Sequence, residues 1–376
     1  MVNRERLLNL FMEMVGISSV SGHEHIFRDF ITSQFEKRGF MVEEDQAGKA
    51  FAGTCGNLLI KKSGNDMPPL LFAAHMDTVE PGDNIKAVIE NNEVIKSAGA
   101  TILGADDKAA IAALVESIDV IMENKLACPP LEILLTVGEE QGLQGAKQFY
   151  YNRLKAQIGY TLDGGGKPGT IITRSPCQNE IEYIAYGKAA HAGINPENGL
   201  NAIQLASAAI AQMPCGRIDE ETTCNFGIIS GGKARNIVPD YCSVRGEARS
   251  LSRSKLDNLT KSLQEIFIDS VNAGGGQADV KVTYLYPEVS LDHNDKVIQL
   301  AVKAVENINL PLHLTGTGGG SDASIINAHI PCANLAIGMQ DVHTVEENIS
   351  IVDLVDDVRL ILAIIDEYNR LPSQEV

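Results

Sequence analysis

Short apolar runs recur along the chain, and segments with helical spacing separate them. LLFAAH, LEILLT and IGYTLD begin at Leu70, Leu131 and Ile158. Runs of this length and apolarity are typical of strands covered on both faces. Between the first two lies DDKAAIAALVESIDVIMEN, in which apolar residues recur at helical spacing. Further helices are predicted over 4–15, 141–154 and 350–371, and a further strand over 332–343. Because strands that alternate with helices pair in parallel, the sequence predicts an α/β fold with a mostly parallel sheet and helices on both faces.

The pattern changes near Ser175. From residue 178 to 288 the segments follow the order strand, helix, strand, strand, helix, strand. This order is that of a split α+β two-layer sandwich. Alternating strands and helices resume afterwards, so the sandwich is predicted to be an insertion. The predicted domains are therefore a discontinuous one, 1–177 and 289–376, and an inserted one, 178–288.

Residues with metal-ligand chemistry stand at the ends of the apolar runs. They are His75, the pair Glu139 and Glu140, Asp163, and His343 after NLAIGMQDV. A further acid, in GADDKAA, stands just before the long helix. Sites in open α/β sheets lie outside the carboxyl ends of the strands. Carboxylates gathered there would repel one another without a cation. Such a mixed set of imidazoles and carboxylates suits zinc, and cobalt or manganese are also compatible.

Two spacings in these segments indicate different roles for neighbouring side chains. In an extended strand residues i and i+2 lie on the same side, so Asp77 is placed to accept the far ring N–H of His75. Glu139 and Glu140 are adjacent and point in different directions. One of them can then bind metal while the other acts as a general base.

Composition excludes several other classes of protein. A formal net charge of -18 argues against nucleic acid or an anionic membrane as a partner. No apolar run reaches the length of a membrane span. Seven cysteines without a CxxC pair indicate free thiols in a reducing compartment, which predicts a cytoplasmic protein. The absence of a GxSxG elbow disfavours a serine hydrolase.

Five segments in order carry a resemblance to a known family: HMDTV, GADDKAA, GEEQGLQGAK, LDGGG and DVHTVEE. Together they resemble the dinuclear-zinc metallopeptidase family that includes carboxypeptidase G, aminoacylase and peptidase T. GKAAHAG and GGGSDA extend the likeness over nearly the whole chain. Among the branches of the family, the chain is most similar to the peptidase T-like one.

The resemblance implies two divalent ions, expected to be zinc, with His75, Asp106, Glu140, Asp163 and His343 as ligands. Asp106 would bridge both ions, and the peptide bond after it would be cis. The assignment of Asp107 as the ligand instead stays open. Glu139 would be the general base, and Asp77 would orient His75.

The inserted domain would correspond to the family's lid and dimerisation domain. Its His191 would reach the partner subunit's active site and stabilise an oxyanion, although capping of the lid helix is an alternative. Asn236, Arg249 and the backbone at Gly320 and Ser321 match positions that hold polar groups of the substrate. For Asn236 and Arg249 a plain solvent-facing role stays open.

These features predict a two-metal amide hydrolase. The resemblance points to a peptidase T-like aminopeptidase of short peptides, in which Glu139 takes a proton from a water shared by the two ions. A homodimer through the inserted domain is also expected. The alternatives are an N-acyl amino acid amidohydrolase or carboxypeptidase of the same family, and a non-catalytic metal-binding protein on this scaffold.

Overall fold

The structure is a computed structural model that describes residues 1–371. The chain forms two compact units. The first comprises Met1–Thr173, Leu291–Gly316 and the chain from Ser321 onward, and the second comprises Arg174–Ser290 and Thr317–Gly320. The sequence places the main divisions at 177/178 and 288/289. It does not separate the four-residue segment Thr317–Gly320 from the first domain.

The α-helices are, in chain order, α1 (Arg4–Val15), α2 (His25–Glu36), α3 (Ala105–Asn124), α4 (Gln144–Gln148), α5 (Ala202–Ile210), α6 (Arg253–Ala273), α7 (Lys296–Asn307), α8 (Asp322–Ile326) and α9 (Ile351–Asn369). The strands are β1 (Met41–Glu44), β2 (Leu58–Lys62), β3 (Leu70–His75), β4 (Ala87–Glu90), β5 (Val94–Ser97), β6 (Leu131–Thr136), β7 (Ile158–Gly164), β8 (Thr170–Ser175), β9 (Cys177–Tyr186), β10 (Gly216–Arg217), β11 (Thr222–Gly231), β12 (Tyr241–Ser250), β13 (Gln277–Tyr286), β14 (Val289–Ser290), β15 (His313–Gly316), β16 (Cys332–Ala336), β17 (Met339–Gln340) and β18 (Asn348–Ser350). Among the described helices, none is long and apolar enough to cross a membrane.

The large sheet has the strand order β1-β2-β6-β3-β7-β16-β8-β14, with β15 paired to β8. Its centre is parallel, since β3 pairs in parallel with β6 and β7, and β16 pairs in parallel with β7. All residues of β3 and β6 are buried, as expected for strands covered on both faces. The predicted fold class, a mostly parallel sheet with helices, is confirmed.

Helix α3 is buried over most of its length. Every residue from Ala105 to Ile118 is buried, and the helix packs against α1 and α9. The helix α1 starts at a cap in which the Asn3 side chain accepts a hydrogen bond from the Arg6 N–H. Ser350 caps α9 in the same way through the Asp353 N–H. These local signals explain why α1 and α9 begin where the apolar spacing begins.

Tyr160 on β7 shows how the core holds a central strand. Its ring is fully buried, and its hydroxyl donates a 2.7 Å hydrogen bond to the backbone oxygen of Val297. We expect Tyr160→Phe to lower the free energy of unfolding by about 1 kcal/mol, because that acceptor loses its partner. Urea denaturation would measure the change. Tyr150→Phe, at an exposed tyrosine, is the matched control, and an equal loss in both variants would contradict the prediction.

The second unit is an antiparallel sheet with the order β10-β11-β12-β9-β13. Helices α5 and α6 pack against each other and against the sheet. The core between the layers includes Tyr183 and Phe267, whose ring centroids are 5.1 Å apart. This is the α+β two-layer arrangement that the sequence predicts.

Two local predictions are wrong. The sequence predicts a helix over 141–154, but α4 covers only Gln144–Gln148 and a short 3-10 turn follows. Leu143 adopts φ +60° before the helix and Phe149 is extended after it, so that Phe149 reaches a small apolar cluster. The sequence also extends a strand to His343. The strand ends at Ala336, and His343 lies in a turn between β17 and β18 with φ +63°.

Candidate metal centre

His75 ends β3, and the strand register places it beside Thr136, the last residue of β6. The loop that follows β6 carries Glu139 and Glu140. Asp163 lies near the end of β7, which pairs with β3 on its other side. Parallel pairing therefore brings the ends of three strands, and the side chains that follow them, to one edge of the sheet.

Asp106 lies at the start of α3 with its carboxylate between the two histidines. Its Oδ1 is 2.9 Å from Nε2 of His75, and its Oδ2 is 3.3 Å from Nε2 of His343. Nε2 of His343 is also 2.9 Å from Oε1 of Glu140. The two oxygens of the Asp106 carboxylate thus face two different sets of possible metal ligands, which we call the donor sets.

Three overlapping groups of side chains each bring their donor atoms within 4.8 Å of one another. They are His75 with Asp106 and Asp163, Asp106 with Glu140 and His343, and His75 with Glu139 and Glu140. All five predicted ligands and Glu139 fall in these groups. Asp107 is in none of the groups found within residues 1–371, and its Oδ2 accepts the backbone N–H of His75 instead. The Asp106–Asp107 peptide bond is cis.

The acids of this cluster are held away from water and close to like charges. Burial, together with the charge of Asp163, raises the pKa of Glu139 well above its ordinary value. Burial and the charge of Asp106 raise the pKa of Asp163 in the same way. Hydrogen bonds to Asp106 and Glu140 raise the pKa of His343 to about 10. A bound divalent cation would reverse this balance, because it favours charged carboxylates and neutral imidazoles.

Asp77 contacts both His75 and the loop after β6. Nδ1 of His75 is 3.0 Å from the backbone oxygen of Asp77 and 3.5 Å from its Oδ1, so the backbone is the nearer acceptor. Because β3 ends at His75, the i, i+2 geometry of a strand does not extend to Asp77. Its carboxylate accepts the N–H groups of Glu139 and Glu140 at 3.0 and 3.2 Å, and the Ser21 hydroxyl at 2.7 Å.

The sequence analysis does not predict two buried acids that lie beside this cluster, Glu24 and Asp322. Glu24 accepts the N–H of Gly138, so three consecutive amides of the loop after β6 donate to carboxylates. Asp322 accepts a hydrogen bond from the Thr136 hydroxyl, and burial raises the pKa of Asp322 to about 6. The available signal for Asp322 was its place in GGGSDA. Glu24 stands in SGHEH, which carries no local pattern of its own.

The predicted residues of the inserted domain belong to the second unit. His191 is exposed, and its segment pairs with that of Asn236, since the Ala192 N–H donates to the Asn236 carbonyl at 3.0 Å. The cap of α5 is Asn201, which accepts the N–H of Gln204. His191 therefore does not cap that helix.

Arg249 and Gly320 are engaged within the second unit. Arg249 donates to both carboxylate oxygens of Glu247, at 2.9 and 3.0 Å, and to the carbonyl of Gly318 at 3.3 Å. A Cβ at Gly320 would lie 2.3 Å from the Tyr286 ring, so only glycine fits there. These contacts explain why Thr317–Gly320 groups with the second unit. Ser321, the next residue, caps α8 in the first unit.

Comparison with known proteins agrees with this architecture. A family profile described as "Peptidase dimerisation domain" matches residues 176–273, and one described as "Peptidase family M28" matches residues 57–202. A crystal structure of aminopeptidase PepT from Bacillus cereus is 40% identical, with a TM-score of 0.90, and the match covers 98% of this chain and 100% of that one. A tripeptidase structure from Staphylococcus aureus is 37% identical, with a TM-score of 0.94, over 99% of this chain and 100% of that one. The chain belongs to the peptidase T-like branch of the M20 metallopeptidases.

Two further relatives match nearly the whole chain. The Bacillus subtilis protein YqjE, described only as uncharacterized, is 42% identical over 98% of this chain and 99% of its own length. Peptidase T of Alkaliphilus oremlandii is 23% identical over 97% of this chain and 100% of its own length. The family resemblance in the sequence is confirmed, and this peptidase T-like chain is a metallopeptidase.

Proposed function

We propose that this peptidase T-like chain is a two-metal aminopeptidase that removes the N-terminal residue of short peptides. The observation that carries the proposal is the pair of donor sets on either side of Asp106. Oδ1 of Asp106 faces His75, and its Oδ2 faces His343. Aminopeptidase and tripeptidase relatives at 40% and 37% identity support the substrate class.

The residues present fit two divalent ions. His75 and Asp163 would hold one, Glu140 and His343 would hold the other, and Asp106 would serve both. We assign Glu140 rather than Glu139 as a ligand because Oε1 of Glu140 approaches the same His343 nitrogen as Asp106 does. Two imidazole nitrogens with carboxylate oxygens suit zinc, and cobalt or manganese are compatible with the same donors.

Glu139 has the position that a general base requires. It is nearly buried beside the cluster, and its backbone N–H is held by Oδ1 of Asp77. The bound ions would acidify a water and polarise the scissile carbonyl. Glu139 takes the proton of the attacking water and returns it to the leaving nitrogen. Its burial favours the protonated carboxyl that this second transfer needs.

The second unit supplies the remaining functions in this proposal. His191 is exposed and available to stabilise the developing oxyanion from a partner subunit. The match of residues 176–273 to a peptidase dimerisation domain supports a homodimer. Because Arg249 is paired with Glu247, we propose that it supports the segment at Gly318 rather than offering a free charge to substrate. All seven cysteines lie within the described residues and are free thiols, which supports a cytoplasmic location.

A substrate panel tests the proposal. Metal-loaded protein is incubated with a tripeptide, an N-acetylated form of the same tripeptide, a dipeptide and an N-acetyl amino acid. We expect release of the N-terminal residue from the free tripeptide, and loss of that activity after chelation. Cleavage of only the N-acetyl amino acid would instead identify an amidohydrolase, and release of the C-terminal residue a carboxypeptidase. Metal uptake without any cleavage would identify a non-catalytic metal-binding protein.

A further inference from the structure

Glu347 is a buried carboxylate in the first unit that the proposed mechanism does not use. Its side chain is 1% exposed. Oε2 accepts the backbone N–H groups of Leu103 and Gly104, both at 2.7 Å, and Oε1 accepts the N–H of Asp106 at 3.0 Å. One carboxylate therefore satisfies three amides of the segment that leads into α3.

The conformation of that segment explains why it needs such an acceptor. Gly104 has φ +73°, and α3 begins at Ala105 without a side-chain cap. Leu103 and Gly104 precede the helix, and Asp106 and Asp107 have non-helical φ and ψ, so the amides of Leu103, Gly104 and Asp106 lie outside its regular hydrogen bonding. Amides without a partner are costly when they are buried. Glu347 supplies the acceptor from a position 241 residues away from Asp106.

The same residue connects two proposed metal ligands. Glu347 follows His343 by four positions, within the segment between β17 and β18. It holds the backbone of Asp106, and the carboxylate of Asp106 lies 3.3 Å from the ring of His343. Chain connectivity, the Glu347 hydrogen bonds and the Asp106–His343 contact thus form a closed loop of constraints.

We propose that Glu347 is a positioning residue that sets the distance between the Asp106 carboxylate and the His343 ring. Groups that orient metal ligands act by keeping the ligand atoms in place before the ion binds. The inference rests on the proposed two-metal function, since it assigns Asp106 and His343 to one ion. It predicts a defect in metal affinity that originates in the backbone around residues 103–106.

Glu347→Gln is the informative substitution, and Glu346→Gln is its matched control. Glutamine has the same shape, but one of its two ends carries hydrogen atoms and cannot accept an amide N–H. It must leave either the Leu103 and Gly104 pair or Asp106 without an acceptor. Glu346 is the adjacent residue and is exposed. The control therefore removes the same charge from the same segment without touching these amides.

Three measurements on the full chain separate positioning from general stability. Titration of zinc against a chromophoric chelator gives metal affinity. Hydrogen exchange of the metal-free protein reports the amides of residues 103–106, with strand β6 as an internal reference. Steady-state kinetics on the tripeptide give kcat and KM separately.

We expect Glu347→Gln to bind zinc about 10–100-fold more weakly at the affected site, with a loss of kcat of similar size. The amides of residues 103–106 should exchange faster, while those of β6 keep their protection. Zinc affinity and exchange equal to those of Glu346→Gln would overturn the inference. If Glu347→Gln does not fold, Glu347→Asp replaces it. The shorter acid cannot reach both ends of the segment, and wild-type zinc affinity in that variant would likewise overturn the inference.

Failure of the proposed function has a different signature. Wild-type protein would then take up none of zinc, cobalt and manganese, or would bind a metal and leave the tripeptide intact. If the wild-type enzyme is active and Glu347→Gln is unimpaired, only the positioning role of Glu347 is excluded.

Discussion

Glu139→Ala should lower kcat for a tripeptide by about 10²–10⁴-fold, the range that a general base contributes. The variant should keep the metal content of the wild-type protein, because the proposed ligand set does not include Glu139. The structure places Glu139 in a donor group with His75 and Glu140, so it lies close enough to act on a water at the centre. Steady-state kinetics and elemental analysis of dialysed protein would measure the two quantities.

The neighbouring Gln141 provides the control for this experiment. Gln141 is exposed, and its side-chain amide donates to the backbone oxygen of Ser21 at 3.3 Å. Its backbone oxygen, which the substitution keeps, accepts from the side-chain amide of Gln144 at 3.1 Å. Gln141→Ala should retain both kcat and metal content. Unchanged kcat in Glu139→Ala would exclude Glu139 as the base. Loss of an ion in Glu139→Ala would instead show that Glu139 binds metal.

Asp106→Asn should have an even larger effect, because it removes one ligand oxygen from a carboxylate that serves both donor sets. Amide nitrogen is not a ligand for a divalent ion of this kind, so at least one set loses a contact. We expect metal content to fall below that of the wild-type protein and hydrolysis to be lost with it. Elemental analysis after dialysis and a zinc-dependent thermal shift would measure the loss, since ions that bind only the folded state stabilise it.

Asp107→Asn separates this prediction from the alternative in which Asp107 is the ligand. The two aspartates are adjacent and both buried, so the substitutions are closely matched. Asp107 interacts with the His75 backbone rather than with the histidine rings. Greater loss of metal in Asp107→Asn than in Asp106→Asn would reverse the assignment.

Much of the fold could be predicted from local patterns. The runs that became β3, β6 and β7 are short and mainly apolar, which is typical of strands covered on both faces. Because these strands pair in parallel, their carboxyl ends lie at the same edge of the sheet. His75, Glu140 and Asp163 could therefore be predicted as neighbours. Helices α1 and α9 were also predicted, and the structure places a polar capping residue, Asn3 or Ser350, at the start of each.

Predictions based on local spacing failed where the chain leaves regular structure. His343 is not at a strand end but in a turn at φ +63°, a conformation that its flanking residues do not signal. The helix predicted over 141–154 is present only as α4, because the backbone is extended at Phe149, whose ring is buried in a small apolar cluster. Arg249 was predicted to hold a polar group of the substrate, but its guanidinium is paired with Glu247. Both residues lie in β12, where residues two apart are on the same side of the strand.

The sequence by itself determined the central strands β3, β6 and β7, the long helices, and the acids and the imidazole of His75 at the strand ends, because periodicity and chain direction are local properties. Only the tertiary structure decided that Asp106 turns its two oxygens toward different histidines, and that Glu347 holds the amides beside it. These contacts join residues more than two hundred positions apart, or depend on the orientation of a single carboxylate. Such geometry is set by the packing of whole elements, which no short segment encodes.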